Sequence, residues 1–180
     1  MRLNLPNKLT LFRILIIPLF LLFLMSDIGG EFGRPIALVI FIIASVTDAL
    51  DGYIARKYNI ITTFGKFMDP LADKILVCSA LIALIHTGDI HAVAVIIIIG
   101  REFIITGFRL VASDKGVVIA ASIWGKLKTI SQMVMVIYLI TGLSGGLFDV
   151  LATVLIVISV VITLISAIDY IVKNVGVLDA

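Results

Sequence analysis

Apolar residues gather in six long runs, separated by short polar breaks. The runs cover about residues 9–25, 35–56, 63–86, 92–110, 119–141 and 147–172. An α-helix needs roughly 20 residues to cross a hydrocarbon core about 30 Å thick, and each run is close to that length. The breaks carry turn residues: Ser26-Asp27-Ile28-Gly29-Gly30, His86-Thr87-Gly88-Asp89 and Thr141-Gly142-Leu143-Ser144-Gly145-Gly146. Connections this short make sequential helices antiparallel. The expectation is an all-α polytopic membrane protein, one domain over 1–180 with six transmembrane helices. A short interfacial helix is expected before the first span, over Asn4 to Phe12, with Pro6 near its start. The first run has a basic flank, as a signal peptide would. The Ser26-Asp27-Ile28 that follows offers no small-residue cleavage site, so the run reads as a span.

Composition narrows the class. Of the 180 residues 61% are hydrophobic and 14% charged, against about 45–50% and about 25% in soluble domains. A soluble globular chain and a disordered one are both excluded. Cys78 is the only cysteine, so there is no disulfide framework. The net charge of +2 says little, but its distribution orients the bundle. Arg2, Lys8, Arg13, Arg56, Lys57, Lys66, Arg109, Lys115, Lys126, Lys128 and Lys173 belong to the termini and one set of connections. The other set holds Arg34 alone, beside Asp27, Glu31, Asp89 and Asp149. Basic residues favour the cytoplasmic side, so both termini are expected there. Arg13, near the start of the first span, is expected to snorkel to the interface.

Ionisable groups also stand where hydrocarbon excludes them. Asp48, Asp51, Asp69, Asp73, Lys74, Arg101 and Glu102 lie within or at the ends of the runs. Insertion scales put such a residue near +3 kcal/mol at a helix centre, so a role is expected for each. Asp48 and Asp51 are three apart on the second helix, with Gly52, Ala55 and Arg56 following. Gly65, Asp69 and Asp73 are spaced by four on the third helix and form one stripe. Four converging carboxylates cannot all stay ionised without cations. One reading pairs them with Arg56 and Lys74 to orient the helices. The other gives them a hard divalent cation, Mg²⁺ or Mn²⁺, which oxygen ligands favour. Two such ions would form a clamp for phosphoryl chemistry.

Written out, the segment is Asp48-x2-Asp51-Gly52-x2-Ala55-Arg56-x8-Gly65-x3-Asp69-x3-Asp73. It resembles the signature of the CDP-alcohol phosphatidyltransferase family, with every fixed position filled. The resemblance covers the whole chain, because that family is also built from six spans with the signature on the second and third. It implies that Asp48, Asp51 and Asp69 hold two metal ions, that Asp73 completes the site, and that Asp73 is the general base. It also implies that Gly52, Ala55 and Arg56 meet the CMP portion of the lipid donor, CDP-diacylglycerol. Thr62, Asn7 and Thr10 are weaker candidates for the same contact.

Of three further stretches, the first resembles the family's opening segment, and the other two resemble the branch of the family that forms phosphatidylglycerophosphate. They are Asn7-Lys8-Leu9-Thr10-x2-Arg13, Arg101-Glu102-Phe103-Ile104-Ile105-Thr106-Gly107-x-Arg109, and the run from Gly116 through Ala120-Ala121-Ser122-x2-Gly125-Lys126-x-Lys128-Thr129. They imply glycerol 3-phosphate as acceptor. Its phosphate is a dianion that needs cations, and Arg101, Arg109, Lys126 and Lys128 are the supply, with Thr106 beside them. For Arg101 the alternative is an internal pair with Glu102 or a signature acid. Adjacent helical residues point apart, so the Glu102 pair is not expected. Other alcohols remain possible acceptors within the family: inositol phosphate, inositol, serine or phosphatidylglycerol. A divalent-cation transporter is the reading from another class, but polar groups would then have to continue to the far side of the membrane. By resemblance the protein is a homodimer in a bacterial-type inner membrane, with a cytoplasmic active site and no nucleic-acid partner. The fifth and sixth spans are Ile- and Val-rich and are expected to meet lipid or a dimer face. His86 and His91 are expected at the extracytoplasmic turn.

Overall fold

The fold is described from a computed structural model. It describes residues 5–57, 63–117, 119 and 122–177; at 5–7, 49, 51–57, 63–70, 73 and 177 the description is of the backbone alone. The described residues form six α-helices: α1 Leu5–Met25, α2 Gly33–Lys57, α3 Thr63–His86, α4 Ala92–Asp114, α5 Ile123–Ile140 and α6 Leu147–Asn174. Short 3-10 turns at Gly30–Phe32 and Val175–Val177 precede α2 and follow α6. No strand occurs among the described residues. The chain is an all-α polytopic membrane protein.

Four helices are long and apolar enough to cross a membrane among the described residues: Lys8–Met25, Gly30–Asp48, Ile123–Ile140 and Leu147–Asn174. Among the described residues α3 shows a shorter apolar stretch, Lys74–His86, and α4 is not one of the four. These two carry Asp69, Asp73 and Lys74, and Arg101, Glu102 and Arg109. These charged residues are the ones that the sequence marks as functional.

The expected separate interfacial helix is not found. Residues 5–12 run directly into the span as the first turns of α1. Pro6 lies in the first turn, where a missing N–H costs nothing, so it starts the helix rather than interrupting it. Pro18 is carried inside the same helix. At the other correction, α5 begins at Ile123 rather than near Ile119. Ser122 caps it: its hydroxyl accepts the Gly125 N–H at 3.2 Å.

The chain divides into two compact units, residues 1–89 with 140–142, and residues 90–139 with 143–180. In the first unit α1 packs on both α2 and α3. Ile17, Phe20 and Leu24 of α1 meet a surface rich in alanine, with Ala37, Ala44, Ala72, Ala80 and Ala83 all buried. Such small residues let helices approach closely in lipid, where packing replaces the hydrophobic effect. Phe20 and Phe41 fill the middle, their ring centroids 5.7 Å apart. At one end Arg34 grips Asp89 with both guanidinium nitrogens, at 3.2 and 2.9 Å. Thr87 donates to the same carboxylate at 2.5 Å.

In the second unit α4 packs on α6. Polar side chains tie α5 to it: Gln132 donates to Thr163 at 3.0 Å, and Ser159 donates to the Ser131 carbonyl at 3.1 Å. The buried face of α6 is Ser159, Thr163, Ser166 and Tyr170, while Val154, Val157, Val161, Leu164, Ile168 and Val172 are exposed. This order is the inverse of a water-soluble helix and suits hydrocarbon, where hydroxyls turn inward to find partners.

Gly142 has φ +65°, and a Cβ there would stand 2.5 Å from Arg34 Nη1. Gly145 has φ +101° but open space around it. Gly142→Ala should therefore cost about 1–3 kcal/mol, combining a left-handed backbone with a displaced Arg34. Gly145→Ala should cost less, from the backbone alone. Thermal unfolding in detergent checks this; equal midpoints for the two variants would show that Arg34 yields freely.

Candidate active site: the acidic signature and a basic cavity

The signature acids fall on two unbroken helices. Asp48 and Asp51 lie three apart near the end of α2, and Asp69 and Asp73 lie four apart in the first half of α3, which continues through Pro70. Gly52, Ala55 and Arg56 follow on α2, and Gly65 precedes on α3. Thr62 lies outside the described residues, as do the side chains of Asn7, Asp51, Arg56, Asp69 and Asp73.

Asp48 is described, and its partner is unexpected. Arg13 Nη1 of α1 stands 2.5 Å from Asp48 Oδ1, with the arginine side chain fully buried and the aspartate 35% exposed. Arg13 does not snorkel to an interface. It sits on the buried stripe of α1, together with Thr10, Ile17, Phe20 and Leu24, at alternating spacings of three and four. Thr10, a candidate for the nucleotide contact, is fully buried one turn before it. The arginine supplies an internal counter-ion to the first acid of the signature. Thr47, next to that acid, donates its hydroxyl to the Ile43 carbonyl at 2.6 Å.

Among the described residues no three His, Cys, Asp or Glu side chains gather as a metal site. The chemistry of the signature donors nevertheless fits a divalent ion. Four carboxylates, with no thiol or imidazole among them, suit a hard cation such as Mg²⁺.

The second unit contains a cavity of about 530 Å³. Arg101 and Arg109 of α4 and Lys126 and Lys128 of α5 all line it. Four of the five residues proposed for the acceptor phosphate thus share one cavity. The fifth, Thr106, is not among its lining residues; its hydroxyl donates to the Glu102 carbonyl at 2.6 Å.

One acid stands among these cations. Glu102 Oε1 accepts from Arg101 Nη1 at 2.9 Å and from Lys128 Nζ. The Arg101–Glu102 pair contradicts the expectation from helix geometry. Its cause is the third partner: Lys128 draws the carboxylate inward, and the long guanidinium follows. Arg101 Nη2 donates to Ser166 of α6 at 2.7 Å. Side-chain exposure is 11% for Arg101, 20% for Glu102 and 7% for Lys128, so the trio is a built feature and not a surface pair. Arg109 and Lys126 are exposed, and Arg109 Nη2 donates to the Ile119 carbonyl at 3.3 Å. Four cations and one carboxylate leave the cavity positive and suited to a small dianion.

Sequence reasoning expected a role for Glu102 but rejected its pair with Arg101, and it missed Ser166 and Tyr170. The signal was present in the spacing. Ser159, Thr163, Ser166 and Tyr170 recur at four, three and four in a helix otherwise built of Ile, Val and Leu. Their hydroxyl chemistry disguised a helical stripe that would be obvious in apolar residues. His91 caps α4, its ring accepting the Val93 N–H at 3.3 Å. Asp169 pairs with Lys173 at 2.5 Å, as a four-residue spacing allows.

Residues 3–165 match the family described as CDP-alcohol phosphatidyltransferase. A Bacillus subtilis protein named CDP-diacylglycerol–glycerol-3-phosphate 3-phosphatidyltransferase is 49% identical over 144 residues, covering 74% of each chain. A Rickettsia typhi protein of the same name is 37% identical over 170 residues, which is 93% of this chain and 94% of its own. Another of that name, from Haemophilus influenzae, is 39% identical over 175 residues, 94% of this chain and 92% of its own.

The Arg13–Asp48 pair makes a direct prediction for stability. Arg13→Leu leaves Asp48 without that cation, and should cost about 1–3 kcal/mol. Arg13→Leu combined with Asp48→Asn should recover part of the loss, because the group that faced the lost cation is then neutral. Unfolding midpoints of the four proteins in detergent give the coupling; strictly additive effects would show that the pair contributes nothing.

Proposed function

Because the chain belongs to the CDP-alcohol phosphatidyltransferase family, we propose that it transfers the phosphatidyl group of CDP-diacylglycerol to glycerol 3-phosphate. The products are phosphatidylglycerophosphate and CMP. The observation that carries the choice of acceptor is the cavity lined by Arg101, Arg109, Lys126 and Lys128. An uncharged or zwitterionic alcohol, such as inositol or serine, has no use for four cations. A phosphomonoester dianion does, and arginine can meet it through two parallel donors. The printed names of the relatives select glycerol 3-phosphate among phosphorylated acceptors.

In this reading the acceptor hydroxyl attacks the phosphorus that carries the diacylglycerol. The pyrophosphate P–O bond breaks, and CMP departs with the electron pair. Asp73 takes the proton from the attacking hydroxyl, a weak nucleophile at neutral pH. Asp48, Asp51, Asp69 and Asp73 would hold two Mg²⁺ or Mn²⁺ ions, which when bound would neutralise the pyrophosphate and stabilise developing charge. Gly52, Ala55 and Arg56 receive the CMP portion, with Thr62 and Asn7 beside it, whereas full burial takes Thr10 out of that contact. Glycine and alanine at the first two positions remove bulk where a nucleotide approaches. Arg13 holds Asp48 in place through their ion pair. The cations of α4 and α5 bind the acceptor phosphate.

The acyl chains of the donor remain in lipid, while the reacting groups need water-soluble partners. That division supports a single membrane domain over 1–180, with its signature at 48–73, in a bacterial inner membrane. Its termini and active site are cytoplasmic, as the distribution of basic residues favours. By family resemblance it works as a homodimer.

The test is CMP release by purified protein in detergent, given CDP-diacylglycerol and Mg²⁺, with and without glycerol 3-phosphate. Release should require glycerol 3-phosphate, cease on chelation of the metal, and return when Mg²⁺ is restored. Asp73→Asn should lower the rate by about 10²–10⁴-fold. Arg109→Ala and Lys126→Ala leave the Glu102 pairs intact, and each should raise the KM for glycerol 3-phosphate about tenfold. Release driven equally well by an uncharged alcohol would overturn the acceptor.

A further inference from the structure

Tyr170 is the last residue of the buried stripe of α6 and is 4% exposed. It lines the same cavity as the four cations. Its ring is held edge-on against Phe108 of α4, with centroids 5.8 Å apart and planes at 87°. Its hydroxyl is buried and has no hydrogen-bond partner among the described residues. Arg101 Nε is in the same condition, although the two terminal nitrogens of that guanidinium are engaged by Glu102 and Ser166.

A buried phenol ordinarily finds a partner, and an orphaned one calls for an explanation. An interfacial tyrosine would reach water with its hydroxyl, but this hydroxyl is enclosed. Two enclosed donors on the wall of one positive cavity have a common solution in a ligand that brings acceptor oxygens. A phosphate group carries three terminal oxygens able to accept. We propose that Tyr170 Oη and Arg101 Nε donate hydrogen bonds to the phosphate of the acceptor substrate, so that α6 contributes directly to substrate recognition. The proposal rests on the reading that a phosphorylated acceptor enters this cavity. The phenol adds a directed donor without adding charge, so it discriminates by oxygen position where lysine discriminates only by charge. Ser166 and Glu102 then act as positioning residues, holding the guanidinium so that Nε stays available.

The test is Tyr170→Phe, which keeps the ring and its contact with Phe108 and removes only the hydroxyl. The KM for glycerol 3-phosphate should rise about tenfold. The KM for CDP-diacylglycerol and the unfolding midpoint should stay the same. Inorganic phosphate, used as a competitive inhibitor against glycerol 3-phosphate, should weaken by a similar factor. If the wild type uses glycerol 3-phosphate and Tyr170→Phe matches it in KM and in phosphate inhibition, the role of Tyr170 is overturned and the function stands. A lowered midpoint with both KM values changed would make the hydroxyl structural, and would overturn it too. A wild type indifferent to glycerol 3-phosphate would overturn the acceptor reading, and this proposal with it.

Discussion

A charged side chain inside a hydrocarbon layer has no water to fall back on, so its counter-ion must come from the protein. Much of this chain is organised around that requirement. Arg13 of α1 reaches Asp48 of α2, and Arg34 of α2 reaches Asp89 after α3. Arg101 of α4 and Lys128 of α5 share Glu102. Each pair or trio connects different segments, so neutralising the charge also docks the helices. The apolar contacts could be satisfied by several rotations of a helix about its axis. An ion pair is satisfied by few.

The same constraint shapes the polar residues without charge. On α6 the hydroxyls of Ser159, Thr163 and Ser166 turn inward, and Ile and Val turn outward. Gln132 and Thr163 settle each other's hydrogen bonds in the middle of the second unit. In water such a helix would expose its hydroxyls and bury its aliphatic face. In lipid the hydroxyl stripe becomes the contact surface, and it leads along one side of α6 to Ser166 and Tyr170 at the cavity.

A site built this way must leave some charge uncancelled. In the lining of the cavity one carboxylate stands against four cations, and it pairs with the two most deeply buried of them. Arg109 and Lys126 stay exposed and make no pair with Glu102. Glu102 therefore makes the buried cations tolerable in the absence of substrate and fixes where their donors point. On α2 the relationship is reversed, because a cation tempers an acid. Arg13 offsets the charge of Asp48, the first acid of the signature.

The sequence alone determined the existence and order of the six long helices, and the acidic signature. Those features are local: the thickness of the membrane sets the length of an apolar run, and spacing by three or four sets a stripe on one helix. Even so, local rules misplaced the start of α5, where Ser122 caps the helix, and predicted a separate first helix that Pro6 merely begins. They also rejected the Arg101–Glu102 pair, because the rule for neighbours on a helix does not include Lys128 arriving from α5. Only the tertiary structure decided which cation meets which anion, and which face of α6 is inside. Such partners are far apart in sequence, and their meeting depends on how each helix is rotated about its axis, which packing settles and spacing along the chain does not.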